Sequence, residues 1–125
     1  VISSLLLRFS VALLLVGLCF GIAMGMTQDF TLAPAHAHLN LVGFVIPFLA
    51  GLYYRAVPQG GRGLLATVQA TLAIIGAVMF PVGVAAVIGL GPQYEALAIV
   101  GALIVLASAA LFAVIVFRTS GAHAA

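Results

Sequence analysis

Two imidazoles stand one residue apart in the stretch Pro34-Ala35-His36-Ala37-His38-Leu39-Asn40. They are two of only 3 histidines in 125 residues, and they open a long apolar run. Imidazole is the commonest side-chain metal ligand and a standard axial donor to haem iron. Methionine is the other frequent axial donor, and its thioether also suits Cu(I). Met24 and Met26 close the preceding apolar run, which makes His36, His38, Met24 and Met26 the candidate metal set. On a regular α-helix, residues two apart point about 200° from one another. One helix therefore aims His36 and His38 in different directions unless its first turn is frayed. His36 shares a face with Asn40, Gly43 and Pro47, and the glycine leaves room beneath the imidazole for a flat macrocycle. His38 shares a face with Leu41, Val42, Val45 and Leu49, an aliphatic stripe suited to packing on haem or on another helix.

Plainer roles compete for each of these residues. A histidine near a membrane interface can serve as a polar cap, and Met24 and Met26 as ordinary apolar packing. Cys19 reads as a small core residue. Tyr53 and Tyr54 beside Arg55 read as an interfacial aromatic belt, and Thr67 and Gln69 as polar groups satisfied within a bundle. His123 reads as a tail residue. A single cysteine excludes an intrachain disulfide and any CxxC motif, and the missing CxxCH motif argues against covalently attached haem of the c type.

The elements that must position the histidines follow from composition. The chain is 66% hydrophobic and 5% charged, with a mean hydropathy of +1.40. Soluble domains carry about 25% charged residues, and a core of this size could not hide so much apolar surface. The sequence therefore predicts an all-α integral membrane protein. A helix crosses the bilayer core in about 20 apolar residues. Four runs meet that length, at about 3–26, 34–57, 63–90 and 93–117. Thr27-Gln28-Asp29, Pro58-Gln59-Gly60-Gly61-Arg62 and Gly89-Leu90-Gly91-Pro92 separate them. Such short loops make neighbours antiparallel, giving a single transmembrane four-helix bundle. The first run exceeds the apolar core of a removable signal peptide and lacks an A-x-A cleavage site after it, so it reads as a retained helix.

Charge sets the expected orientation. Arg8, Arg55, Arg62 and Arg118 fall at one end of the runs, and Asp29 and Glu95 at the other. By the positive-inside rule the arginine end, with both termini, is cytoplasmic. The histidine pair then lies about one turn inside the opposite face, the periplasmic one if the host is a bacterium. With 4 basic residues spread over the helix ends there is no basic patch for nucleic acid. The third and fourth runs carry Gly76, Gly83, Gly89, Gly101, Ala107 and Ala110, small residues that allow close helix approach within a bundle or between protomers.

The segment His36-Ala37-His38-Leu39-Asn40-Leu41-Val42-Gly43-Phe44, followed by Gly51-Leu52-Tyr53-Tyr54-Arg55 and Val57-Pro58, resembles the second-helix signature of haem-copper oxidase subunit I and its small relatives. It is also similar to the HAH and Gly-Phe pattern of NnrS-type haem- and copper-containing membrane proteins. The resemblance covers about 25 of the 125 residues. In the oxidase and nitric-oxide-reductase superfamily a second-helix histidine near the outer face ligates the low-spin haem. The resemblance thus implies haem b on His36 or His38, with Asn40 and Gly43 beside it. A full subunit I has about twelve helices and six metal-binding histidines, and this chain has no histidine cluster for a binuclear centre.

The expectation is a membrane cytochrome in a bacterial inner membrane, homo-oligomeric through its Gly/Ala-rich helices, acting in electron transfer or in O2 or NO interaction. Whether it turns over a substrate is left open; if it does, it is an oxidoreductase. The rival expectation is a copper site built from the His/Met set, and a third is an accessory or assembly subunit of a respiratory oxidase.

Overall fold

Turn chemistry divides the chain where Gly, Pro and short polar residues cluster. The computed structural model describes the backbone of residues 1–124 and the side chains of residues 1–121; His123 lies outside the described side chains. Four helical segments follow one another: α1 (Ile2–Thr27), α2 (Ala33–Ala56), α3 (Gly63–Leu90) and α4 (Glu95–Ala124). A single 3-10 turn, Pro92–Tyr94, leads into α4. All four helices are long and apolar enough to cross a membrane, as the sequence predicts, and a lipid bilayer is the solvent their exposed faces suit. The helical boundaries differ from the expected ones mainly in α4, which runs past Phe117 through Arg118 and Thr119.

Each loop has a local cause. Gln28 closes α1 in the left-handed region, at φ 55. Asp29 then accepts hydrogen bonds from the Thr31 amide (3.1 Å) and hydroxyl (2.5 Å). Between α2 and α3, the Gly60 and Gly61 amides donate to the carbonyls of Val57 and Pro58. Gly91, at φ 127, ends α3 in a conformation that side chains with a Cβ rarely adopt.

The α3–α4 contact is made largely by backbone. A Cβ added at Gly83 would lie 2.6 Å from Ala98 Cα, and one at Gly101 would lie 2.7 Å from Phe80 Cα. Helices in lipid gain their association from such close packing, since no hydrophobic force separates chain from solvent there. Not all the expected small residues serve it. Ala107 and Ala110 are exposed, and a Cβ at Gly89 would meet nothing.

Helix α2 is not a uniform α-helix. Residues Leu39–Val45 form a π segment, and the Ile46 amide donates to the Leu41 carbonyl five residues back. Pro47 supplies the reason. It has no N–H to continue the ladder, and its ring crowds the carbonyl four residues earlier, so the preceding turn widens.

The core lies toward the arginine end, where Leu6, Ala50, Tyr54, Ala66, Ala70 and Ile115 pack together. Tyr54 corrects one expectation. It is 3% exposed, not an interfacial anchor. Its hydroxyl donates to Gln69 Oε1 at 2.7 Å, Gln69 Nε2 donates to Ser108 Oγ at 3.1 Å, and Ser108 Oγ donates to the Gln69 carbonyl at 3.0 Å. These bonds staple α2, α3 and α4. Cys19 is likewise exposed rather than in the core. It lies two positions from Gly17, on the opposite side of α1 from the face that packs on α2.

Candidate functional site

The histidines sit in the first turns of α2, at the end opposite the arginines. The first turn is a regular helix, so the two imidazoles diverge. His36 turns to α1 and His38 to α3.

His36 and Asn40 enter α1 through two glycines. A Cβ at Gly21 would stand 3.0 Å from His36 Cε1, and one at Gly17 would collide with Asn40 Oδ1. Gly17 and Gly21 thus form a notch for two polar side chains four residues apart on α2. Phe20 closes the notch with its ring edge-on to His36, centroids 5.6 Å apart. Within it Asn40 Nδ2 lies 3.2 Å from His36 Nε2. That contact leaves His36 Nδ1 and Asn40 Oδ1 buried without partners. Rotating the amide by 180° only exchanges which amide atom is orphaned, because each group brings one more polar atom than the pair can use. Buried polar atoms without partners are rare and costly, at about 1–3 kcal/mol each.

His38 has a different environment. Its Nδ1 lies 2.6 Å from the Pro34 carbonyl. A carbonyl only accepts, so Nδ1 carries the proton, and in the neutral ring Nε2 then holds the lone pair. A backbone carbonyl on Nδ1 is the usual orienting contact of a metal-binding imidazole. Phe80 of α3 meets the ring edge-on at 4.7 Å. An apolar cleft of about 280 Å³ opens between α1, α2 and α3, lined by Phe20, Ala35, Leu39, Ala77 and Pro81; His38 and Phe80 do not line it. Drug-sized ligands and cofactors fill roughly 300–1,000 Å³, so the cleft takes the edge of a large flat group, not the whole.

The other candidate residues are placed as follows. Gly43 is buried against α1, where a Cβ would stand 2.9 Å from Leu13 Cδ1, so Leu13 fills the room expected beneath His36. Met24 is buried at 7% exposure, whereas Met26 is 81% exposed. The structure brings together His36 and Asn40 and separates them from His38. Among the described residues no three His, Cys, Asp or Glu side chains gather at a common point.

Sequence reasoning missed Gly17 and Gly21. The spacing Gly17-x-x-x-Gly21-x-x-x-Gly25 in the first run was their available signal. It also missed Phe80, which carries no motif. In comparisons with protein-family models, curated proteins and solved structures, nothing matches this chain. The class that fold and site define is a four-helix protein apt for a membrane, with a divergent histidine pair near one face.

Proposed function

We propose that this chain is a membrane cytochrome that holds haem b through His38, in electron transfer or interaction with O2 or NO. The observation that carries the reading is the 2.6 Å contact between His38 Nδ1 and the Pro34 carbonyl. It fixes the tautomer and leaves Nε2 as a bare donor. His36 is the weaker ligand, since its Nε2 is taken by Asn40 and its Nδ1 is buried against α1.

The donor chemistry of His38 fits such a group; the apolar cleft, which His38 does not line, has volume for only part of it. A second copy of the chain would complete the enclosure, which is the reading of the protein as a homo-oligomer. Bound haem would supply one-electron chemistry where a second protein donor is held, or a binding position for a diatomic gas where none is. The protein's own residues hold the imidazole by its carbonyl anchor and pack Phe80 edge-on against it. The charge pattern supports placing the site near the periplasmic face of a bacterial inner membrane.

The test is a visible spectrum of detergent-purified protein, oxidised and dithionite-reduced, expressed with ample haem. The expected result is a Soret band with sharp reduced α and β bands, lost in His38→Ala and kept in His36→Ala. A colourless wild type would overturn the cytochrome, and copper found by metal analysis would then favour the copper reading. Loss of the bands in His36→Ala alone would overturn the choice of ligand.

A further inference from the structure

The opposite end of the molecule poses a separate problem of charge. Arg55, Arg62 and Arg118 stand there, while the only carboxylate side chains, Asp29 and Glu95, belong to the far end. No side-chain carboxylate of this chain is at hand to neutralise the arginines. Arg55 is partly committed, its Nη2 donating to Ser4 Oγ at 2.8 Å. Arg62 and Arg118 instead rim a cleft of about 260 Å³ between the start of α3 and the end of α4.

The cleft has two levels. Exposed Gln59, Arg62 and Arg118 rim it, and half-buried Leu65 and buried Ile115 lie beneath them with Gly60. Thr119 also lines it, but its hydroxyl already donates to the Ile115 carbonyl and meets Tyr53 Oη, both at 2.7 Å. The two arginines therefore carry the charge recognition, with the Gln59 amide beside them. The start of α3 adds to the positive field, because Arg62, its N-cap, makes no side-chain capping bond and the first-turn amides are left free. Arg62 also borders a second polar cleft with Arg55 on its other side. Guanidinium groups match phosphate oxygens with paired hydrogen bonds.

We propose that this cleft binds the phosphate of an anionic phospholipid. A phosphate-bearing anion answers the unpaired arginines, and the apolar floor beneath them favours a lipid over free phosphate. The helix lengths put the cleft at headgroup level in a bilayer, where basic pockets between helices recognise anionic lipids. The proposal is independent of the haem reading.

The experiment is native mass spectrometry of the full chain released from detergent after equilibration with phosphatidylglycerol or phosphatidylcholine at equal concentration. Phosphatidylglycerol is expected to be retained preferentially. Its retention is expected to drop roughly fivefold for each arginine removed in Arg62→Gln and Arg62→Gln/Arg118→Gln. Arg8→Gln should leave it unchanged, and Arg62→Lys/Arg118→Lys, which keeps the charge, should preserve most of it and show that the cleft still folds. Equal retention of the two lipids, or undiminished retention in the double Gln variant, would overturn the proposal. Full displacement of the lipid by millimolar inorganic phosphate would also overturn it, in favour of a soluble anion.

Discussion

The two buried polar clusters of this protein are built to different standards. Near the arginine end, Tyr54, Gln69 and Ser108 exchange every hydrogen bond the geometry allows and tie three helices together. Near the other end, His36 and Asn40 share one contact and leave two buried atoms without partners. Both clusters sit among helices with little charge, where an orphaned polar group is expensive. The satisfied cluster reads as a structural staple. The half-satisfied one keeps hydrogen-bonding capacity in reserve, which sets it apart from a structural staple.

The largest expected effect comes from closing the notch that admits His36 and Asn40. Gly17→Val puts a side chain where Asn40 Oδ1 sits, so Asn40 must leave the notch and give up its contact with His36, or α1 must part from α2. Its cost should reach about 3 kcal/mol, the upper range for overpacking, read as a shift in denaturant midpoint in detergent. A Gly17→Val protein as stable as wild type would mean that the two helices do not interlock there.

A direct contrast between the clusters comes next. Gln69→Leu strands the Tyr54 hydroxyl and one partner of Ser108 and should destabilise by about 1–2 kcal/mol. The double change His36→Leu/Asn40→Leu removes two groups that are already under-satisfied, so it should be near neutral or slightly stabilising. If the histidine–asparagine pair proves the costlier to replace, the role of staple must be reassigned to it.

The smallest effect concerns the loop that hands the chain from α1 to α2. The hydroxyl of Thr31, and then its amide, hold the Asp29 carboxyl below its ordinary value of 3.8. A carboxyl with a lowered folded pKa stabilises the loop above the unfolded value and loses that contribution as pH falls through the folded one. Thr31 amide exchange should therefore show steady protection down to about pH 4 and lose it below. Asp29→Asn should weaken that protection at neutral pH and flatten its pH dependence. Loop opening already between about pH 5 and pH 7 would point to another titrating group.

The sequence alone determined the helices and their antiparallel order. Apolar runs of spanning length and Gly/Pro breaks are local signals, and each helix satisfies its own backbone wherever it packs. The same holds for the segregation of arginines from acids, and for the divergence of His36 and His38, which needs only the helical angle. Tertiary structure alone decided how the polar residues are used. Tyr54 is buried and Tyr53 is not, because the rotation of α2 sets which of two adjacent rings meets Gln69. The room expected at Gly43 is filled by Leu13, a residue 30 positions away in the chain. The role of Gly17 and Gly21 exists only because α1 faces α2 in one register. His38 drew its oriented tautomer from a local carbonyl, but its contact with Phe80 came from α3. Periodicity fixes what a helix can present; only packing fixes which neighbour receives it.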